Sequence, residues 1–339
     1  MLAAYTELKH AQKVKQFLLQ HDLFHSDHLP VKELGFIYFP IVKKIKVPKA
    51  KVVNTKFKFP EKEKLVTIEE LLKGKLTTKE MKLIPRSLEV VGDIMVLEVP
   101  DELKKKEKII AQAYLKQNKN VKTIVKKDQM HSGEFRLRKV KFLAGKKTKE
   151  TIHFENGVKV KLDLEKTYFS SRSGNERLRI ARLVKPREDV LVMFSGAAPF
   201  PLVIAKNSEA KTIYGIEINP LAHRYALDNV SLNRFEKKII IHLGDVRDVL
   251  PPTRKKFDRI AMPLPKTGEQ FLGLALKKVK KNGFIHLYDF LSEEEFTAAA
   301  KKIKDICKQN KKKCRILRKV KCGQFSPGVF RVCFDLKVL

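Results

Sequence analysis

The sequence lacks any long apolar run. Its least charged stretch, residues 190–205, is shorter than the roughly 20 residues that a membrane-spanning helix needs, and it contains one glycine and two prolines. Residues 1–13 carry Glu7 and Lys9 where a signal peptide would be apolar. We therefore expect a soluble protein in the cytoplasm with no membrane partner.

Cysteine is scarce as well, because the chain has only four, all near the C-terminus: Cys307, Cys314, Cys322 and Cys333. None of them forms a C-x-x-C pair, which argues against a zinc site. We expect buried thiols and no bound metal. A Cys307–Cys314 disulfide stays open, since intracellular bridges occur in proteins of hyperthermophiles.

Acidic residues are few beside basic ones. The 38 Asp and Glu face 72 Lys and Arg, which gives a formal net charge of +34. Such a chain attracts polyanions. Nucleic acid is the commonest of these, and an anionic membrane surface is its main rival. A lysine-rich proteome would give a similar composition without any such partner, but we favour nucleic acid.

The length of 339 residues exceeds what one compact domain usually needs, so we expect several domains. Residues 1–60 predict a small α/β domain, with a helix over 11–19 and a strand over 34–40. Residues 43–58 are rich in lysine and have no acid. They form either a basic linker or an edge that faces phosphate.

Residues 61–164 predict a second small α/β domain. A strand is expected over 90–99, a helix over 101–117, and a hairpin over 151–164 that turns at Asn156-Gly157. A loop over 131–138 carries Arg136 and Arg138. If this loop is extended, both arginines point to the same side.

Residues 165–339 alternate between strands and helices. Strands are predicted at 190–194, 212–218, 238–243, 257–262 and 283–288, and helices at 199–207, 220–233, 268–280 and 293–310. This alternation predicts a mostly parallel, Rossmann-like sheet with helices on both faces. The closing strands have no helix between them and predict an antiparallel hairpin.

The first two strand ends of this domain suggest a nucleoside-binding site, because ligands bind at the carboxyl ends of parallel strands. Phe194 follows the first strand, and Gly196 permits a sharp turn before the next helix. Only one glycine is present, so the phosphate loop of dinucleotide-binding proteins is missing. Glu217 follows Gly196 by 21 residues and could accept hydrogen bonds from both ribose hydroxyls.

The third strand ends at Asp245, whose carboxylate could accept from an adenine amino group. An acid at a strand end is also a common helix N-cap. Taken together, these features favour S-adenosylmethionine over a nicotinamide cofactor. The candidate cofactor-binding residues are Phe194, Gly196, Ala198, Glu217, Ile218, Asp245 and Val246.

The fourth strand ends in Pro263-Leu264-Pro265, the natural place for a target base in such a sheet. No cysteine nucleophile lies near it in sequence, which argues against attack on a pyrimidine C5. We expect Pro263 and Pro265 to bind the substrate and Tyr168 to stack on it. Two other aromatic candidates, Phe169 and Phe200, have core packing as the competing interpretation.

The chain resembles the archaeal tRNA guanine-37 N1-methyltransferase family over nearly its whole length. The motifs that carry the resemblance are GEFRLR (133–138), TIHFENG (151–157), YFSSRSGNERLRI (168–180), FSGAAPFPLVIA (194–205), GIEINP (215–220) and GDVRDVL (244–250). We expect a monomer. The resemblance implies that its N-terminal domain touches the outer corner of the tRNA. The other two domains would hold the anticodon loop.

The same resemblance assigns catalytic residues. The acid-base residue of the family falls on Glu176, with Arg177 beside it, and an arginine that helps at the target base corresponds to Arg136 or Arg138. On local sequence alone, Glu176 is better explained as a carboxylate at a helix start. The resemblance favours the catalytic interpretation.

One motif departs from the usual family pattern, because Pro263 stands where most members have an asparagine that contacts guanine. This resembles a branch that also methylates C7 of 4-demethylwyosine, a step in wyosine biosynthesis. GAAPFPLVIA and HLYDF (286–290) are also similar to that branch. The alternatives are methylation of guanine alone, methylation of ribosomal RNA, and tRNA binding without catalysis.

Overall fold

A computed structural model describes residues 1–61, 66–86, 88–132, 135–264 and 266–339. The chain forms two compact units, Met1–Glu70 and Leu71–Leu339. Within the described residues, no helix has the length and apolar character needed to cross a membrane.

The first unit is one antiparallel sheet with a helix. Its elements are β1 (Leu2–Glu7), α1 (Ala11–Gln20), β2 (Val31–Glu33), β3 (Phe36–Pro40) and β4 (Lys51–Asn54). The sheet has the order β2-β3-β1-β4, and Val14 and Leu18 of α1 pack on its buried face. The predicted helix and strand are confirmed. The lysine-rich stretch is more than a linker, because it contains β4, which pairs with β1.

The second unit begins with a sheet in the order β5-β6-β7-β8. Two short helices precede this sheet in the chain: α2 (Ile68–Leu72), which includes the last residues of the first unit, and α3 (Thr78–Lys82). The other elements are β5 (Glu89–Val91), β6 (Ile94–Leu97), α4 (Glu107–Gln117), β7 (Thr123–Ser132) and β8 (Leu137–Gly145). The single strand expected over 90–99 is wrong: the chain turns at Gly92, whose φ of 59° suits glycine. The helix expected over 101–117 starts as a 3-10 turn over Asp101–Lys106.

A two-stranded hairpin follows, formed by β9 (Glu150–Glu155) and β10 (Val158–Asp163). Its two turn residues, Asn156 and Gly157, have φ of 46° and 81°. Two positive values are what a type I′ hairpin turn requires, and Asn-Gly supplies them at little cost. The predicted turn is therefore confirmed.

The remainder forms a seven-stranded sheet in the order β13-β12-β11-β14-β15-β17-β16. Its elements are α5 (Gly174–Leu183), β11 (Asp189–Met193), α6 (Pro199–Asn207), β12 (Thr212–Glu217), α7 (Pro220–Leu232), β13 (Ile239–Leu243), α8 (Val246–Val249), β14 (Phe257–Met262), α9 (Leu272–Lys278), β15 (Val279–Leu291), α10 (Phe296–Gln309), β16 (Cys314–Ser326) and β17 (Val329–Val338). Strands β11 to β15 are parallel, and β16 and β17 are antiparallel.

This topology confirms the predicted Rossmann-like domain and its C-terminal hairpin. The strand order reverses between β11 and β14, and the carboxyl edge beside that switch point is where such sheets bind ligands. The four cysteines are free thiols, and Cys307 and Cys333 are buried.

The expected boundary at 164/165 runs through a continuous hydrophobic core. Val91 and Val125 of the four-stranded part share this core with Val160 of the hairpin and with Val190 and Val203 of the larger sheet. The first compact unit ends at residue 70 rather than at 60. The middle segment is thus packed on the sheet that carries the site.

Asn229 on α7 fastens the hairpin to the larger sheet. Its side chain accepts from the Lys161 N–H at 2.7 Å and donates to the Lys161 carbonyl at 2.8 Å and to the Ala197 carbonyl at 3.0 Å. Asn233, one turn later, makes the same pair of bonds to Lys159 at an exposed position. The two residues form a matched pair that differs in burial.

We predict that Asn229→Ala lowers the free energy of unfolding by about 2–4 kcal/mol, because it leaves buried backbone groups without partners. Asn233→Ala should cost less than about 1 kcal/mol, since water can replace its bonds. Urea denaturation followed by circular dichroism measures both. Equal losses for the two variants would contradict this account of the hairpin.

Candidate active site

The turn after β11 is built from residues with unusual backbone angles. Phe194, Gly196 and Ala198 all have positive φ, of 61°, 56° and 66°. Phe194 and Ala198 are not glycine, and a positive φ is costly for such residues. Backbone strain of this kind is concentrated at ligand-binding and active sites. Gly196 donates its N–H to Oε2 of Glu217 at 2.6 Å, so the turn is locked to the end of β12.

Glu217 is buried under this turn, with 8% of its surface exposed. Its Oε1 accepts from the N–H of Asn219 at 2.8 Å. Burial raises the pKa of Glu217 despite these hydrogen bonds. Each carboxylate oxygen can accept more than one hydrogen bond, so both can still receive a ribose hydroxyl.

The donor and acceptor set here fits the nucleoside of S-adenosylmethionine. Beside Glu217, the Ser195 hydroxyl is buried and, among described atoms, has no hydrogen-bond partner. Phe194, Gly196, Ile218 and Val246 line the same cavity. Ala198 is the exception: it is fully buried and serves to close the turn, with its N–H bonded to the Ser195 carbonyl at 3.0 Å.

Asp245 lies where it can serve both of the roles that its position allows. It caps α8 by accepting from the Arg247 N–H at 2.7 Å, and its side chain lines the cavity. The Arg247 guanidinium also bonds to it at 2.5–3.0 Å, which lowers the pKa of Asp245. Arg247 is largely exposed, so it can move when a ligand needs this carboxylate.

Glu176 lines the other half of the cavity from the first turn of α5, with 5% of its surface exposed. Arg179 donates two hydrogen bonds to the Glu176 carboxylate, from Nε to Oε2 at 2.7 Å and from Nη2 to Oε1 at 2.8 Å. The hydroxyl of Tyr288 donates to Oε1 at 2.6 Å. Of the two oxygens, Oε1 therefore takes two described donors and Oε2 takes one, which leaves Oε2 able to accept a proton.

A buried chain of charges continues from Arg179 into the sheet. Arg179 also bonds to Asp335 at 2.7 Å, and Asp335 bonds to Nδ1 of His286 at 2.6 Å. Nε2 of His286 meets Arg259, which is paired with Glu188. Although burial opposes ionisation, bonds from His286 and Arg179 hold the pKa of Asp335 below its ordinary value.

His286, Cys333 and Asp335 also place three possible metal ligands within 4.8 Å of one another. The geometry does not favour a cation there, because Arg179 and Arg259 are hydrogen bonded to this set and carry positive charge. Burial lowers the pKa of His286, so the imidazole stays neutral. We interpret the group as a link in the ionic chain.

The two arginines of the GEFRLR segment lie in different environments. Arg136 lies in the turn before β8 with φ of 48°, so the segment is not extended there, and its side chain lines the cavity. Arg138 is 4% exposed, does not belong to the described cavity lining, and pairs with Glu89 at 2.7 Å. The expectation that both face one side is wrong, and only Arg136 is placed to meet a substrate.

Arg177 is held by hydrogen bonds to its neighbours in the protein. Its Nε and Nη2 bind the two carboxylate oxygens of Glu155 in the hairpin, and Nη2 also donates to the Ser170 carbonyl. The guanidinium lies 5.1 Å from the ring centre of Phe169. Arg177 lines the cavity but is held by the hairpin, so we assign it to positioning the segment around Tyr168.

The cavity has a volume of about 350 Å³. Tyr168, Phe169, Phe200 and Pro263 all line it, although Phe169 and Phe200 are mostly buried. Pro265 lies outside the described residues. Both halves, the Gly196–Glu217 turn and Glu176, open into this one space.

The cavity-lining residues that sequence analysis did not single out include Tyr288, Arg331 and Phe271. Tyr288 stands near the end of β15, the fifth parallel strand, so extending the inspection of strand ends by one strand would have found it. Arg331 lies on the antiparallel strand β17 and gives no such signal.

The TRM5/TYW2 methyltransferase domain matches residues 151–317, and the TYW2 N-terminal domain matches residues 68–148. The Trm5b tRNA (guanine(37)-N(1))-methyltransferase of Pyrococcus abyssi is 30% identical over 99% of both chains. The Nanoarchaeum equitans tRNA (guanine(37)-N(1))/4-demethylwyosine(37)-methyltransferase Taw22 is 32% identical over 66% of this chain and 90% of its own. A Pyrococcus horikoshii tRNA(Phe) (4-demethylwyosine(37)-C(7)) aminocarboxypropyltransferase is 33% identical over 80% of this chain and 96% of its own.

Solved structures agree with this grouping. Trm5b from Pyrococcus abyssi has a TM-score of 0.74 at 30% identity, covering 100% of this chain and 99% of that one. A complex of aTrm5 with tRNALeu has a TM-score of 0.71 at 30% identity and covers 99% of both. Methanocaldococcus jannaschii Trm5 with adenosine scores 0.66 at 29% identity, covering 100% of this chain and 99% of that one.

Fold, cavity and relatives together define a methyltransferase that uses S-adenosylmethionine. More narrowly, the chain belongs to the TRM5/TYW2 methyltransferase family. The family resemblance stated from the motifs is thus confirmed, and so is the cofactor.

We predict that cofactor affinity depends on the ionisation of Glu217. Protonation removes an acceptor for the ribose, so affinity should be constant above the pKa of Glu217 and fall as the pH drops through it. Because burial raises that pKa, the affinity should begin to fall at a higher pH than it would for an exposed glutamate, whose pKa is about 4.3. Isothermal titration calorimetry with S-adenosylmethionine over pH measures this.

Glu217→Ala should weaken binding about 10- to 150-fold, the effect of losing a charged hydrogen bond. The variant should also lose the pH dependence. Glu209→Gln, at an exposed position before β12, is the control and should behave as the wild type. Wild-type affinity in a folded Glu217→Ala variant would refute the assignment.

Proposed function

We propose that this protein methylates N1 of guanine 37 in tRNA and also C7 of 4-demethylwyosine at the same position. The observation that carries the proposal is the single cavity in which the Gly196–Glu217 turn and Glu176 meet. The relatives named for these two activities support it. Bound S-adenosylmethionine supplies an activated methyl group, so the protein has to prepare the base.

Guanine N1 carries a proton in its usual keto form, and its lone pair is not free to attack. Glu176 is the proposed proton acceptor, through Oε2, which takes a single donor among the described residues. Arg179 and Tyr288 fix the orientation of the carboxylate. Removing the N1 proton places negative charge on O6, and Arg136 is the proposed cation that stabilises it.

Arg136 suits this task because it is half-buried. Burial lowers its pKa only from a very high value, so the guanidinium remains charged. In a partly desolvated cavity, such a charge interacts more strongly with a developing anion than it would in water. Methylation of the wyosine carbon needs the same two operations, proton removal and anion stabilisation.

Pro263 supports the second substrate. It lines the cavity at the end of β14 and offers neither a side-chain donor nor a backbone N–H. A tricyclic guanine derivative presents fewer polar edge atoms than guanine does, and a rigid apolar lip fits it. Tyr168 and Pro265 complete the proposed base contacts.

The domains receive proposed roles along the tRNA. The segment 1–60 would contact the outer corner, while 61–164 and 165–339 would hold the anticodon loop. The net charge of +34 favours a polyanionic partner of this kind. We propose a monomer in the cytoplasm that needs no metal.

Labelled methyl transfer followed by mass spectrometry of the nucleosides tests the function. The substrates are unmodified tRNA, tRNA bearing 4-demethylwyosine, and ribosomal RNA. We expect 1-methylguanosine from the first and isowyosine from the second. Addition of an aminocarboxypropyl group, methylation of ribosomal RNA alone, or no transfer at all would each overturn the proposal.

We predict that Pro263→Asn shifts the preference between the two substrates. Asparagine restores a polar contact to guanine and removes part of the apolar lip, so the ratio of guanine to 4-demethylwyosine methylation should rise roughly 2- to 10-fold. Single-turnover rates on the two tRNAs measure the ratio. Pro252→Asn, in an exposed turn, is the control. An equal change on both substrates would make Pro263 a structural residue.

A further inference from the structure

Arg331 is a cation of the cavity that the proposed chemistry does not use. It lies on β17 directly opposite Phe290 of β15. Its Nη1 donates to the Ser173 hydroxyl, and its Cζ lies 5.7 Å from the ring centre of Phe290. Its Nε is buried and, in the described part of the chain, meets no acceptor.

This bond set differs from those of two other arginines in the cavity. Arg177 is paired with Glu155, and Arg247 with Asp245. Among described residues, no carboxylate forms an ion pair with Arg331. A buried donor without a partner is rare in folded proteins and calls for an acceptor. Since a guanidinium matches phosphate in charge and shape, the expected acceptor is anionic.

An aromatic stack leads from Arg331 to the surface. The rings of Phe290 and Phe325 lie 4.0 Å apart at an angle of 28°. Phe325 precedes the β16–β17 turn and is 48% exposed. The Lys266 ammonium lies 5.3 Å from the Phe325 ring centre. An exposed aromatic ring with cations beside it is the kind of surface on which single-stranded bases stack.

The stack lies on the same strand as Tyr288, the tyrosine that holds the proposed base. Tyr288 and Phe290 are alternate residues of β15, so their side chains point to the same face of the sheet. Tyr288 donates a hydrogen bond to Glu176, and Phe290 contacts the Arg331 guanidinium. A base that enters the cavity must leave its stack in the loop, so its neighbour loses a stacking partner.

We infer that Arg331 and the Phe290–Phe325 stack bind the nucleotide adjoining the target base. The guanidinium holds its phosphate, and its base stacks on Phe325 in place of the Lys266 side chain. The displaced ammonium then lies beside the same phosphate. The nearby acid, Asp289, accepts from the N–H groups of Lys266 and Phe290 through its Oδ1.

This inference rests on the proposed function, because the ligand is a nucleotide of the tRNA loop. The first experiment uses tRNA with 2-aminopurine on the 5′ or the 3′ side of the target, since its fluorescence falls when the base stacks. Wild-type protein should quench one of the two probes. Phe325→Ala should abolish that quenching and weaken tRNA binding about 5- to 150-fold, whereas Phe325→Tyr should preserve both.

A matched control exists in the β9–β10 hairpin. Phe154 is 67% exposed and has Lys159 at 5.9 Å from its ring centre, as Phe325 has Lys266. Phe154→Ala should leave the quenching at wild-type strength. If Phe325→Ala quenches as fully as Phe154→Ala does, the stacking role is refuted.

The second experiment tests the phosphate contact through salt dependence. Each phosphate neutralised in a single strand contributes about 0.7 to the slope of log affinity against log salt. Arg331→Ala should reduce the slope by about that amount. Arg182→Ala removes an exposed guanidinium from the last turn of α5, at the amino edge of the sheet, and should leave the slope unchanged.

The outcomes separate the inference from the function on which it rests. A wild-type protein that transfers no methyl group to tRNA refutes the function. If the wild type transfers methyl groups but Arg331→Ala and Arg182→Ala show the same slope of log affinity against log salt, only the phosphate contact is refuted. Reduced affinity of Arg331→Ala for S-adenosylmethionine with unchanged tRNA binding would assign Arg331 to the cofactor carboxylate, which also overturns the inference.

Discussion

The interaction on which the active site depends is the sharing of one guanidinium, that of Arg179, between Glu176 and Asp335. These two carboxylates are brought together from α5 and β17, elements far apart in the sequence. A buried carboxylate without a partner would give up its charge or its position. Arg179 prevents both, and it therefore sets where the proposed base stands. Removing one member of such a buried group typically costs about 3–5 kcal/mol, because the remaining charge is left uncompensated.

The two halves of the cavity are fixed by different physical means. On the cofactor side, backbone geometry dominates: a turn with three positive φ values is held by the hydrogen bond from the Gly196 N–H to Glu217. On the base side, side-chain charges dominate, and Glu176 depends on Arg179 and Tyr288. Burial raises the pKa of the Tyr288 hydroxyl well above its ordinary value, so it remains a donor to the carboxylate.

Much of the fold could be predicted from the sequence, because strand and helix periods are local. The helix over 199–207 is an example, since Pro199 marks its start and Asn207 its end. The pairing of Gly196 with Glu217 was also predictable, because the carboxyl ends of neighbouring parallel strands meet at one edge of the sheet. The single strand predicted over 90–99 was wrong, because the apolar residues of that segment were given more weight than the turn signal of Gly92.

The rest of the site could not be read in this way, because it depends on contacts across long sequence separations. Arg179 meets Asp335 over 156 residues, and no local pattern announces it. Arg136 and Arg138 look equivalent in an extended segment, and only the positive φ of Arg136 separates them. Asp245 was compatible with a helix cap and with a ligand contact, and it lies where it can serve both.

A double-mutant cycle between Glu176 and Arg179 tests the central claim most directly. Single-turnover methyl transfer is measured for Glu176→Gln, Arg179→Gln and the double variant, each checked for wild-type cofactor affinity. Glu176→Gln should lower the rate roughly 10²–10⁴-fold, as loss of a general base does. If Arg179 acts through Glu176, adding Arg179→Gln to Glu176→Gln should cause no further loss. Losses that multiply in the double variant would contradict the account.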